Sequence, residues 1–362
     1  MNSKKLNVLY NNDLNGECWT FYKMAVLETH PLAEQWLASH MNYFVNEDLT
    51  GRFGDNGTQY SMNYYTDILK FRKLSVGKVC PDNLIDVIKS TIDNEKYIIM
   101  YLNFDPIYGT TNVNHETLIY GYDETSIYCT KLQNGLFNEY SIKYDDLKIC
   151  YENIYREYMH NGWILICRRP FFFGITQVSL NDDYVNDNWI QGMLEKIRFE
   201  KNGCKIVKRP IEERETEFIS TTYYEGLSAL TYFADLFGKT DQTFWTDYRL
   251  FRINAAMKTA HDHRLLLLRN MKYFCNYMDA KDDVSMVKAI DDYEKAIQNI
   301  KHVHLMINKY KINKNSEILA RIADICGAQY AIEKNALQAF EDTIWQYYFR
   351  ENDVPPPPED DE

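Results

Sequence analysis

A chain of 362 residues is long enough for two domains of ordinary size, each burying its own core. An apolar fraction of 45% with 15% aromatics excludes the disordered class. The formal net charge of -12 argues against a general affinity for nucleic acid or anionic lipid, since either needs a surplus of Lys and Arg on the surface.

The opening MNSKKLNVLY lacks the apolar core and small-residue cleavage site of a signal peptide, and no run approaches the roughly 20 apolar residues of a membrane span. A cytoplasmic location is expected. Next, the turn-forming NDLNG leads into CWTFYKMAVLETH, an amphipathic run that predicts a helix beginning at Cys18. Short runs rich in Ile, Tyr and Val follow: KYIIMYLNF from Lys96, HETLIYGYD from His115, SIYCTKLQ from Ser126, LFNEYSI from Leu136 and GWILICRR from Gly162. These predict an antiparallel sheet. Asn134-Gly135 between two of them signals a tight hairpin turn, and the strands at 115–120 and 126–133 should be neighbours in the same meander.

From about Thr221 the apolar spacing changes to three and four residues, predicting four long helices: YYEGLSALTYFADLFG, then FWTDYRLFRINAAMK onward, VSMVKAIDDYEKAIQ onward and SEILARIADICGAQY onward. Gly238 should close the first, Asp241 or Thr243 open the second, and Ser316 precede the fourth. The predicted fold class is therefore α+β. A sheet domain spans 1–170, a linker with a helix around NWIQGMLEKIRF spans 171–220, an all-α helical bundle spans 221–350, and the Pro- and acid-rich tail 351–362 is expected to be disordered.

Eight cysteines are scattered without a C-x-x-C pair or zinc-finger spacing, so reduced thiols are expected rather than a disulfide framework or structural metal. His261 and His263, at i and i+2 of a helix, point to different sides, which argues against a metal site. Cysteine attack on an acyl carbon needs a thiolate, a base and oxyanion donors. Cys18 at a helix N-terminus meets the first need, because the positive end of the dipole lowers a thiol pKa. His115 opens a strand after the polar loop YGTTNVN, a position for an exposed imidazole facing a helix end across a cleft. Its plainer reading is a satisfied loop histidine.

The stretch NDLNGECWTFYKMAVL resembles the start of the papain-like cysteine peptidases that cut leader peptides beside a double glycine, where an amide-bearing residue lies six positions before the nucleophile; Asn12 sits six before Cys18. YLNFDPIYGTTNVNHETLIYGYDETSIYCTK resembles the second motif of that family, a His followed by apolar strand residues, with a Gly six positions later; His115 and Gly121 fit. With a helical domain after the sheet, the chain is most similar to a biosynthetic branch of the fold, that of the butirosin-pathway acyltransferase and the closthioamide-assembly amidotransferase.

The resemblance implies a papain-like N-terminal domain with a Cys18–His115 pair. It departs from the peptidases at Lys131, where they carry an Asp that orients the His, and a lysine cannot accept the imidazole N–H. Asn134 is taken as the third member in its place, with Gln133 beside it; Asn134 is equally read as the first residue of its turn. Asn12, where the peptidases usually have Gln, is the expected oxyanion donor, with Asn11 competing for the role.

The implied function is acyl transfer from a carrier-protein thioester to a small amine through acyl-Cys18, in natural-product biosynthesis. No cofactor is bound; the substrate arrives on the phosphopantetheine of the carrier. A carrier of that kind is acidic, so Arg168, Arg169, KNGCKIVKR and KHVHLMINKYKINKNS are candidate docking patches. Two rival readings use the same fold: a cysteine peptidase with water as acceptor, and a catalytically inactive binding module.

Overall fold

The computed structural model describes residues 3–10, 18–49, 51–53, 65–108, 114–133, 136–166, 169–208, 221–239 and 242–349. In chain order these form β1 (Lys4–Lys5), α1 (Cys18–Leu27), α2 (Ala33–Ser39), β2 (Tyr43–Asn46), β3 (Gly51–Phe53), β4 (Leu69–Leu74), α3 (Leu84–Asp93) and β5 (Tyr97–Asn103). Then come α4 (Asp105–Tyr108), β6 (Asn114–Tyr122), β7 (Ser126–Gln133), β8 (Leu136–Lys143), α5 (Tyr144–Asn161), β9 (Ile164–Ile166), β10 (Arg169–Phe171) and β11 (Ile175–Leu180). The remainder is α6 (Trp189–Asn202), β12 (Cys204–Lys208), β13 (Thr221–Glu225), α7 (Ser228–Phe237), α8 (Asp247–Tyr277), α9 (Val284–Asn313) and α10 (Ser316–Ile344), with a π-helical turn Trp345–Phe349. The class is α+β, with antiparallel sheets and a helical C-terminal region.

The chain divides into two compact units, Met1–Ala33 with Met62–Val185, and Glu34–Ser61 with Asn186–Glu362. This division differs from the expected boundaries at 170 and 221. The segment 171–220 read as a linker contributes β11 to the sheet of the first unit, and α6 and β12 to the second. The tail 351–362 lies outside the described residues.

In the first unit a seven-stranded sheet runs β4-β11-β5-β6-β7-β8, with β1 paired to β6. β6 and β7 are neighbours as expected, and β7 pairs β8 as far as Gln133↔Leu136, bracketing the two residues Asn134-Gly135. The pairing register of β6 with β7 shifts between Ile119 and Gly121, a bulge that admits one extra residue. Gly121 is required there because a Cβ would lie 2.9 Å from the Lys4 carbonyl as β1 crosses.

Alternate residues of a strand face opposite sides, so the side chains sort the helices. Gln177 of β11 pairs with Ile98, which pairs with Ile119, and the Gln177 amide donates to Thr91 of α3 at 2.7 Å. α3 therefore covers that face, burying Leu84, Ile88, Thr91 and Ile92 at helical spacing. α1 covers the other: Phe21 stacks on Phe137 of β8 with ring centroids 3.6 Å apart, and Tyr10, stacked on Phe21, reaches Tyr120.

The second unit is not all-α. A four-stranded antiparallel sheet, β12-β13-β2-β3, takes two strands from residues 43–53, and Tyr223–Glu225 pair with Phe44–Asn46 from nearly half the chain away. The four long helices stand as α7 to α10. Gly238 is the C-cap of α7, as expected. α8 opens later than expected, at Thr246, whose hydroxyl accepts from the Arg249 N–H, because a 3-10 turn Gln242–Phe244 intervenes. Asn315 rather than Ser316 caps α10, accepting from the Glu317 N–H at 3.0 Å.

The core of this unit is aliphatic and aromatic but encloses ion pairs. Arg264 donates to Glu333 at 2.7 Å with both side chains under 5% exposed, and Gln329 donates to the same carboxylate oxygen at 2.6 Å. His263 Nε2 lies 3.1 Å from Glu200, and burial holds the imidazole below its usual pKa.

Candidate active site

The first residue of α1 is Cys18; its side chain, and the whole of Asn12 and Asn134, lie outside the described residues. Tyr22, one helical turn after Cys18 and on the same helix face, donates its hydroxyl to the backbone carbonyl of Glu116 at 2.6 Å. That carbonyl also accepts from His115 Nδ1, at 2.9 Å.

A carbonyl oxygen only accepts, so Nδ1 carries the proton in this contact and the lone pair of a neutral imidazole is left on Nε2. One backbone atom thus ties the helix that begins at Cys18 to the imidazole at the start of β6. The stacking of Phe21 on Phe137, two residues past the β7–β8 turn, sets the first turns of α1 toward the end of the sheet where β6 begins and that turn lies.

The paired residues of β6 and β7 run from Tyr122↔Ile127 to Ile119↔Cys129, and His115 pairs with Leu102 of β5. Among the described residues, the partner of the imidazole is the Glu116 carbonyl.

Sequence reasoning missed Glu116. Its carboxyl is 5% exposed on the α1 side of the sheet, and burial pushes it up to about 8, with Lys23 of α1 opposing the rise. The carboxyl is therefore protonated near neutral pH, and by strand alternation it faces α1 while the side chain of His115, its neighbour in the chain, takes the opposite face. In HETLIYGY it reads as a polar residue at a strand mouth; only the arrival of α1 over it reveals the burial.

Tyr10 belongs to a chain of hydroxyls. Tyr10 donates to Tyr120 at 2.8 Å, Tyr120 to Glu139 at 3.1 Å, and Lys5 to the same carboxylate oxygen at 2.6 Å. Burial raises the phenol of Tyr10, and that of Tyr120 further, so both stay protonated at neutral pH.

Six other thiols lie among the described residues. Cys129, Cys150, Cys275 and Cys326 are buried, and burial pushes Cys326 up to about 12. Cys80 and Cys204 are half-buried.

His263 turns inward to Glu200, while His261 lies 3.7 Å from Asp262. Among the described residues no group of three or more His, Cys, Asp or Glu is arranged to hold a metal ion, and no helix is long and apolar enough to cross a membrane. No family model and no curated protein sequence matches this chain.

Proposed function

We propose that this chain is a papain-like cysteine acyltransferase of the cytoplasm, moving an acyl group from a carrier-protein thioester to an amine. The observation that carries the reading is the shared Glu116 carbonyl, which holds His115 with Nε2 as the basic nitrogen and anchors the helix that starts at Cys18.

In the first half-reaction the Cys18 thiolate attacks the thioester carbon. The oxyanion is met by the Cys18 N–H and an Asn12 amide, the carbon–sulfur bond to phosphopantetheine breaks, and the departing thiolate takes a proton from the His115 imidazolium. Acyl exchange between two thioesters is nearly isoenergetic, so no ATP is needed. In the second, an amine attacks acyl-Cys18 while His115 Nε2 accepts its proton; the amide leaves and the thiolate returns. The resemblance assigns the orienting contact on the imidazole to Asn134, with Gln133 beside it in the chain.

The test is single turnover: acyl-enzyme formed from an acyl-pantetheine is isolated and mixed with a diamine or with buffer alone. Amide released much faster than acid supports acyl transfer. Equal release of free acid in both arms overturns it in favour of a hydrolase.

A further inference from the structure

Residues 295–316 contain five lysines and two histidines and no Asp or Glu, in a chain whose formal net charge is -12. Most of this stretch is the C-terminal half of α9. One side of the helix buries Val303, Met306, Ile307 and Tyr310 in the core of the second unit. Lys301, Leu305, Lys309 and Ile312, at spacings of four, four and three, share another face with His302 at its border, and all five are exposed.

Leu305 is 57% exposed and Ile312 is 86% exposed, so the face carries two aliphatic side chains that the fold does not use. Its cations are also unspent. Lys288, Lys295 and Lys314 pair with Asp292 or Asp247, whereas Lys301, Lys309 and Lys311 have no carboxylate partner among the described residues. From Lys301 to Ile312 the helix rises about 16 Å, the width of a contact with one partner helix or less.

We infer that this face of α9 docks the carrier protein, its two aliphatic residues meeting an apolar centre and its lysines meeting the surrounding carboxylates of the partner. The inference rests on the proposed transfer from a carrier thioester. Charge complementarity selects the occupant: an acidic protein of small footprint feels the local lysines. An extended polyanion such as nucleic acid or an anionic membrane also meets the net negative charge of the rest of the chain. In such an interface the lysines govern the association rate and its salt dependence, and the buried aliphatic pair governs dissociation.

The experiment measures binding of an acyl carrier protein lacking its phosphopantetheine to the full chain, by fluorescence anisotropy at low and high salt. Lys301→Glu/Lys309→Glu and Leu305→Ser/Ile312→Ser are each expected to weaken binding at least tenfold, the first also flattening the salt dependence. Lys288→Glu, on the same helix outside the face, should change binding less than twofold. Because the face is exposed, the variants should keep wild-type circular dichroism and melting temperature.

Wild-type affinity in both double variants, or an equal loss in Lys288→Glu, would overturn the docking site. So would binding of phosphatidylglycerol vesicles or RNA to this face in preference to the carrier. Acylation of Cys18 by protein-free acyl-pantetheine, read on the wild-type preparation, separates the two claims. Acylation with carrier binding indifferent to α9 refutes the docking site alone, and α9-dependent binding without acylation refutes the catalytic reading alone.

Discussion

Replacing Glu116 with Gln isolates the buried carboxyl beneath α1. Glu116 is 5% exposed, and burial lifts it from an ordinary 4.5 to about 8 against the pull of Lys23. Between those values the folded chain keeps a proton that the unfolded chain has lost. The stabilising contribution is therefore complete below about pH 4.5 and is lost progressively as pH rises to about 8. At about 1.4 kcal/mol per pH unit, the loss is on the order of 5 kcal/mol. Glutamine has nearly the same size and no proton to lose. Urea unfolding at pH 5, 7 and 9, followed by tryptophan fluorescence with the slope checked for constancy, should show Glu116→Gln gaining on the wild type by roughly 4 kcal/mol across the series. His115 keeps its anchor in the variant, because that anchor is the backbone carbonyl. Parallel stability curves, differing by less than about 1 kcal/mol in trend, would refute the reasoning and mean that Glu116 ionises normally as a partner of Lys23.

Tyr22→Phe removes a buried 2.6 Å bond to the Glu116 carbonyl and should cost about 1–2 kcal/mol in chemical denaturation. It should also slow Cys18 acylation roughly tenfold as α1 loses its registration with His115; the stability loss with an unchanged rate would show that the bond is structural only. Arg264→Met leaves Glu333 buried with only Gln329 donating, and a loss of about 3–5 kcal/mol is expected. Arg264→Met/Glu333→Leu should recover at least half of it, and a double variant no better than the single would place the cost in packing instead of charge.

Local patterns made much of the first unit legible. Alternation in HETLIYGY and SIYCTKLQ, with the Asn134-Gly135 turn signal, led to adjacent strands that the ladder β6-β7-β8 contains. The three-and-four spacing after Thr221 likewise led to α7 to α10. Long-range pairing was not legible. YFVN at 43–46 is too short to announce a strand, and its partner Tyr223–Glu225 lies nearly half the chain away. β11 pairs with both β4 and β5, although the sequence runs it directly after β10. At the site, the helix start at Cys18 and the strand start near His115 were readable from composition. The carbonyl shared by Tyr22 and His115 was not, because backbone acceptors leave no mark on residue type. Nor was the bulge between Ile119 and Gly121, which shifts the register of β6 against β7.

The most direct measurement is intact mass of the chain after incubation with an acyl-carrier thioester, followed by peptide mapping, with Cys18→Ala and His115→Ala in parallel. The expected result is one acyl adduct on Cys18 in the wild type, none in Cys18→Ala and slow formation in His115→Ala, while the four buried cysteines stay unmodified. No adduct on Cys18 with any acyl donor, or an adduct that forms equally well without Cys18, would contradict the account.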